Sequence, residues 1–321
     1  MNTKRMLSTV AAALLSVAAA MAQEWAVTCV SANYLRSEPD YESPLETQTL
    51  MGAVMQAGPL SGRWLSVCPK APHYDNVWVN SMTVARMDDA QLEGYIAAEK
   101  YICTAPYSQV TDMPVGGNVV CDLVMGDLVR KVFNDRGKAI HTVTHAKVML
   151  PDGRTGYVRY GDLSDFKSWL SLRNPSGADI VSTARKFTGV PYLWGGNSVK
   201  GMDCSGLVWL TYYMNGILLP RNASQMALTG VDVPLQSLMT GDLIFFGNEE
   251  GRINHVGIYT GEAGVIHSSQ MVYEGSIDPG SPYYLDRQIV CARRILGHLK
   301  EGAVKISDSP WFVHSDVLKN L

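Results

Sequence analysis

Cys204 lies in the run Met202-Asp203-Cys204-Ser205-Gly206-Leu207, at the head of an apolar stretch from Leu207 to Met214. This pattern puts a thiol at the first turn of a buried helix, where the partial positive charge of the helix N-terminus favours thiolate over thiol. Two histidines follow beside β-like runs: His255 in Asn254-His255-Val256-Gly257-Ile258-Tyr259, and His267 in Val265-Ile266-His267-Ser268. A cysteine, a base and a third group to orient the base make up a set for nucleophilic acyl transfer through a covalent intermediate. A lone cysteine near an apolar helix is as often a small core residue; the three residues together point to chemistry. His73, His141, His145, His298 and His314 read as ordinary polar residues. His141 and His145 are four apart in a β-like region, which is not ligand geometry, so neither a metal nor another cofactor is expected.

The elements that must hold this set are legible around it. Ser176-Gly177-Ala178-Asp179 has capping-box spacing and starts a helix with Ile180, Val181, Ala184 and Phe187 on one face. Gly189 and Pro191 end it. The loop Pro191-Tyr192-Leu193-Trp194-Gly195-Gly196 leads to the Cys204 helix. Strands are expected near Asp242–Phe246, Val256–Thr260, Gly264–Ser268 and Ile289–Leu296. Helix first and sheet after gives an α+β domain over residues 175–299. Trp209 reads as core; Trp194 is open between core and cleft. Gly195, Gly196 and Gly206 fit close backbone approach near the nucleophile.

Residues 24 to about 164 read as all-β, in two copies. One runs from Ala26-Val27-Thr28-Cys29-Val30 through Met51-Gly52 to Val77-Trp78-Val79. The other runs from Lys100-Tyr101-Ile102-Cys103 through Met125-Gly126 to Gly156-Tyr157-Val158. These give small β-barrels at 23–86 and 100–166, joined by a short helix or linker at 87–99. The segment 300–321 is amphipathic and carries no functional signal.

At the N-terminus Lys4 and Arg5 precede an apolar run from Met6 to Met21, and Ala20-Met21-Ala22 is a cleavage pattern. Residues 1–22 read as a signal peptide of an exported protein, periplasmic or secreted; the run is short and alanine-rich for a stable membrane span. Cleavage takes the basic count from 27 to 25 against 30 acids, a net charge of about −5. With no basic block and no basic–aromatic stripe, nucleic acid is not an expected partner. All six cysteines follow the cleavage site. A free Cys204 leaves an odd number, so at least one more thiol is unpaired.

Three features of residues 176–297 resemble one family, the NlpC/P60 cysteine peptidases, papain-like in fold: the loop Tyr192-Leu193-Trp194-Gly195-Gly196, the run Asp203-Cys204-Ser205-Gly206-Leu207, and the pair His255 and His267. Arg221-Asn222-Ala223-Ser224-Gln225 is similar to that family's R-x-S-x-x-Q run, with Gln225 directly after Ser224. Gly241-Asp242-Leu243-Ile244-Phe245-Phe246 is similar to its G-D-L-x-F-F strand. The two β copies resemble bacterial SH3-like domains through Tyr34-Leu35-Arg36-Ser37-Glu38-Pro39 and the closing Gly-Tyr/Trp-Val element.

The resemblance implies hydrolysis of cell-wall peptides with no cofactor, Cys204 attacking the amide carbonyl, His255 moving the proton and His267 orienting His255. It also implies the Tyr192 hydroxyl as an oxyanion donor beside the Cys204 N–H. Two barrels ahead of the peptidase resemble the γ-D-glutamyl-L-diamino acid endopeptidases, which act on wall peptides with a free N-terminal L-alanine. A partner for that ammonium is expected in Asp203, with help from the Ser205 hydroxyl. Glu46 looks like the acidic residue the first barrel offers, Tyr74 is a hydroxyl candidate, and Trp194 and Ser224 are cleft candidates by resemblance. An ordinary exposed-loop role is the alternative for Glu46 and Tyr74. Three competing readings are a hydrolase of intact murein with wall-binding barrels, a catalytically silent wall-binding protein, and an amide hydrolase on another substrate.

Overall fold

The alternation of apolar and polar residues in short runs, such as Trp64–Pro69, buries every second side chain of a strand and leaves a one-sided sheet. In the computed structural model, which describes residues 24–299 and 302–313, this pattern builds two seven-stranded antiparallel sheets. The signal-peptide reading at 1–22 lies outside the described residues, as do 300–301 and 314–321 of the C-terminal extension. The first sheet uses Trp25–Thr28, Ala32–Arg36, Leu45–Leu50, Val54–Ser61, Trp64–Pro69, Val77–Asn80 and Val84–Met87. The second uses Lys100–Cys103, Tyr107–Thr111, Val119–Val124, Leu128–Lys131, His145–Met149, Thr155–Arg159 and Leu163–Asp165. Counted within each sheet, both have the spatial order third, second, sixth, fifth, fourth, first, seventh. No pairing among the described residues joins the two end strands of either sheet. Each sheet has its own apolar centre: Leu35, Met55, Leu65, Val67 and Val79 in the first, Cys103, Val110, Leu123, Ala146 and Val158 in the second.

The sheets dock through equivalent turns. Gly52 takes a φ of 90°, and a Cβ there would lie 2.9 Å from the Leu128 Cβ, so only glycine lets the turns close on each other. The Leu128 N–H donates to the Met51 carbonyl at 3.0 Å, and the buried Asp127 carboxylate accepts from the Met51 N–H at 2.9 Å. Between the sheets runs the helix Asp89–Ala97, started by a capping box of Asp88 and Gln91 and burying Leu92, Tyr95 and Ile96.

The third unit is α+β. The helix Gly177–Arg185 starts at the capping box of Ser176 and Asp179, and the helix Cys204–Tyr213 is buried along its whole length. They cover one face of an antiparallel sheet with the order Val231–Asp232, Gln288–Arg294, Leu243–Gly247, Ile253–Gly261, Gly264–Ser268 and Val272–Ser276. The strands at 231–232 and 272–276 were not among those expected from sequence. The first has two residues; the second follows its neighbour after a three-residue turn, which merges two runs into one.

The C-terminal extension is structural. Val304–Lys305 pairs with Ile217–Leu218, Trp311 packs on Trp25 with ring centroids 5.4 Å apart, and Phe312 lies against Phe166 and Tyr213. The segment therefore touches all three units.

Candidate active site

Asp203 caps the helix Cys204–Tyr213 and places Cys204 at its first position. The Gly206 N–H donates to Asp203 Oδ1 at 2.6 Å. Gly206 must be glycine, because a Cβ would lie 2.0 Å from the Gly196 carbonyl oxygen. The sulfur of Cys204 sits against the Val256 N–H, so the helix terminus meets the strand Ile253–Gly261 one residue from His255.

Strand register explains the histidines. Directly opposed residues of antiparallel strands project to one face. His255 opposes Phe246, and His267 opposes Gly257 and Tyr273, so both imidazoles share the face that carries Phe246 and Tyr273. Val256 and Ile258 alternate to the helix side. His255 Nε2 and His267 Nδ1 are 2.9 Å apart, with the rings nearly perpendicular. For His255 to act as a base through Nδ1, its Nε2 must carry the proton and donate to His267 Nδ1. That tautomer puts the His267 proton on Nε2, which is buried with no protein partner.

Burial sets the protonation states. It pushes the Cys204 thiol up to about 11, with the Asp203 charge adding and the Val256 N–H, Arg221 and the Ser205 N–H opposing. Burial, then the charges of His267 and Arg287, push His255 down to about 3; burial and Arg287 push His267 down to about 4. Burial thus pushes both the Cys204 thiol and the His255 imidazole toward their neutral forms, against the pull of the helix terminus on the thiol. Desolvation outweighs the helix end because both groups are nearly inaccessible.

Tyr192 lies close enough to Cys204 and Asp203 to feel their charge. Burial first, then these two, push its hydroxyl up to about 12, which keeps it a proton donor at neutral pH. Its backbone N–H donates to the Gln270 carbonyl at 2.9 Å, tying the loop to the sheet end. Trp194, two residues on, is 67% exposed and does not fill the core, whereas Trp209 does.

Asp203 is not the free counter-charge that the sequence led us to expect. Oδ1 accepts from Gly206 N, Ser205 Oγ at 3.1 Å and Arg221 Nη1 at 3.1 Å; Oδ2 accepts from Gly195 N at 2.9 Å and Arg221 Nη2 at 2.7 Å. Ser205 is absorbed too, since its hydroxyl accepts from Arg221 Nη1 at 2.8 Å. Both residues clamp the loop to the helix start.

Arg221, 1% exposed, is the centre of this clamp and was quoted in the sequence only as part of a motif. Its Nε donates to Thr47 Oγ1 of the first sheet at 2.9 Å, so one guanidinium joins the nucleophile's cap to the neighbouring unit. Gln48 extends the join: its Oε1 accepts from Asn197 N and Ser198 Oγ, and its carbonyl from Asn197 Nδ2, each at 3.0 Å. The signal available beforehand was a strand reading Thr47-Gln48-Thr49, three polar residues that are fully buried.

Glu46 is next to Thr47 in the strand Leu45–Leu50 and so lies beside this join. Tyr74 donates to Glu46 Oε2 at 2.6 Å, so these two candidates are together. Burial and then Glu46 push the Tyr74 hydroxyl up to about 12, while Arg221 and the Asn222 side chain oppose. Ser224 is exposed on the short helix Ala223–Met226 that follows Arg221. Among the described residues, no group of three His, Cys, Asp or Glu is arranged to hold a metal, and no helix is long and apolar enough to cross a membrane.

Residues 189–294 match the NlpC/P60 family model. The chain is 35% identical over 153 residues to a γ-D-glutamyl-L-lysine dipeptidyl-peptidase of Bacillus cereus, a stretch covering 47% of this chain and 46% of that protein. It is 44% identical over 101 residues to the protein of that name from Bacillus subtilis, covering 31% and 34%. The match thus spans less than half the length of either relative. A longer match, 26% identical over 264 residues, covers 78% of this chain and 90% of the dipeptidyl-peptidase 6 of Lysinibacillus sphaericus. The crystal structure of an NlpC/P60 family protein from Bacillus cereus shares the fold at a TM-score of 0.72 and 23% identity, covering 85% of this chain and 99% of that one.

Proposed function

Starting from a chain that carries an NlpC/P60 domain at residues 189–294, we propose that it is a cysteine peptidase cutting the γ-D-Glu–L-diamino acid bond of wall peptides whose N-terminal L-alanine is free. The observation that supports this reading is the Glu46–Tyr74 hydrogen bond, which lies beside the Thr47–Arg221 join to the nucleophile's cap. It supplies an anion and a hydroxyl for an ammonium where Asp203 has none to spare. The names of the Bacillus and Lysinibacillus relatives support the same bond.

The chemistry follows from the residues. Cys204 passes its proton to His255 Nδ1 as the sulfur bonds to the γ-carbonyl carbon of D-Glu. Negative charge moves to the carbonyl oxygen, where the Cys204 N–H and the Tyr192 hydroxyl donate to it. The Cys204 N–H is available because a first helical position has no intrahelical acceptor. The oxyanion collapses, the C–N bond breaks, and the imidazolium gives its proton to the departing amine. A water molecule, deprotonated by His255, then opens the thioester, and the thiolate recovers the proton. His267 accepts from His255 Nε2 throughout and holds the ring. The β-domains, read as SH3-like, shape the cleft, and the protein works after export and removal of residues 1–22.

The test is mass spectrometry of products from three substrates: L-Ala-γ-D-Glu-L-Lys, its N-acetyl form, and intact sacculi. Release of L-Ala-γ-D-Glu from the first alone is expected, and Cys204→Ala abolishes it. Equal cleavage of the acetylated peptide, or cleavage of sacculi alone, overturns the reading.

A further inference from the structure

The segment 277–287 crosses the sheet face that carries the two imidazoles. Leu285, buried, packs there with Phe246, Val265 and Ala292, and its N–H donates to the Ser276 carbonyl at 2.8 Å. Three residues later the chain enters the strand Gln288–Arg294, in which Ile289 opposes Phe246, itself opposite His255. The exposed Arg287 thus stands at the histidine end of the sheet. Its charge reaches His255, His267 and Tyr192. The arginines at 185, 221, 293 and 294 in the same unit each pair with a carboxylate of the protein. For Arg252 and Arg287 no such pair occurs among the described residues, and of these two only Arg287 acts on the histidines.

The position has a direction. Tyr74 and Glu46 lie by Arg221 and Asn222. Tyr192, at the nucleophile, feels both Arg221 and Arg287. Thr47, beside Glu46, meets Arg221, which holds Asp203 next to Cys204; the Cys204 sulfur meets Val256, next to His255, whose strand partners Phe246 and Ile289 lead to Arg287. Contacts therefore run from Glu46 through Cys204 to Arg287. A peptide with its amine at Glu46 and its scissile carbonyl at Cys204 sends its departing residue toward Arg287.

We propose that Arg287 binds a carboxylate of the departing diamino acid, and so makes the enzyme prefer leaving residues with a free acid group. This rests on the reading of the site given above. A guanidinium with no internal partner matches a carboxylate in two-pronged geometry. Two sources of that carboxylate exist: the C-terminal α-carboxylate of a tripeptide, and the side-chain carboxylate of a 2,6-diaminopimelic acid. Binding at this end acts on substrate entry, so the loss falls on KM more than on kcat.

The experiment measures kcat and KM of the wild type, Arg287→Gln and Arg287→Lys on L-Ala-γ-D-Glu-L-Lys, on L-Ala-γ-D-Glu-meso-diaminopimelate, on the C-terminal amides of both, and on the lysine peptide with the D-Glu α-carboxylate amidated. For Arg287→Gln a roughly tenfold fall in kcat/KM, carried by KM, is expected on peptides that keep a leaving-side carboxylate, with partial rescue by Arg287→Lys. The fall vanishes on the amidated lysine peptide. If it persists on the amidated diaminopimelate peptide, the side-chain carboxylate is a source. An equal fall on all five peptides would mean that Arg287 acts on the histidines and would overturn the proposal. So would a fall that vanishes only when D-Glu is amidated, or no fall at all. Failure of the wild type on every peptide would instead remove the parent reading, and this one with it.

Discussion

The two β-domains share a strand order yet meet the catalytic unit in different ways. In the first, the third strand, Leu45–Leu50, turns Thr47, Gln48 and Thr49 inward as a buried polar seam against Asn197, Ser198 and Arg221. In the second, the equivalent strand, Val119–Val124, leaves Val119 exposed; Asp122 forms a half-exposed pair with Lys200 at 2.5 Å, and Val124 joins the apolar cluster shared with the catalytic helix. One backbone plan therefore carries two jobs. Side chains on a single strand decide which copy enters the active site, and the fold does not.

The contrast is sharpest at Arg221. Replacing it by Met leaves the Asp203 carboxylate buried without its partner, and should cost about 3–5 kcal/mol of stability. Denaturant midpoints check this, and peptide turnover should fall with them. A variant that unfolds like the wild type would break the view of the first domain as part of the site. Acidification gives the next effect. His255 and His267 are held neutral in the fold, so the unfolded chain takes up their protons first as pH falls through about 6.5. Stability is lost on the way down toward their folded values of about 3 and 4, by about 2–4 kcal/mol at pH 5 for the two together. Asp127 of the second domain has the opposite sign: burial holds its carboxyl well above the ordinary range, so acid favours its folded form. Hydrogen exchange at pH 5 should loosen the catalytic sheet before the second domain.

Gln48→Leu should cost about 1–3 kcal/mol, because the Asn197 N–H and Ser198 hydroxyl lose their acceptor. It should also raise KM for the free-amine peptide more than it lowers kcat, as Glu46 shifts with its strand. Lys200→Ala, which loses Asp122 of the second domain and a surface bond to Ser31 of the first, should cost below about 1 kcal/mol and leave turnover intact. Calorimetry and kinetics on the two variants together rank the interfaces, and equal losses would erase the distinction drawn here.

Much of this arrangement was legible in the sequence because its signals are local. The Cys204 helix start, the capping box at Ser176 and the β-runs holding His255 and His267 depend on residues within one turn or strand. The burial of Cys204 was not legible, since a helix-end argument counts one local dipole while burial is set by the whole fold. Asp203 was misread for a related reason. Its four partners include Arg221, which is distant in sequence, and a carboxylate looks free until its cation is placed. Thr47 and Gln48 passed as strand residues because nothing local says that a polar strand edge will be buried by another unit. Glu46 and Tyr74 were singled out separately; only the fold makes them one pair.

The contact of Trp311 with Trp25 has a consequence for biosynthesis. Val27, Val54, Leu92, Tyr95 and Ile96 already pack around the Trp25 indole once the helix Asp89–Ala97 has been made, and Trp311 adds its contact only after the catalytic unit has followed. The first domain can thus close its core early, while one outer seam waits for the rest of the chain.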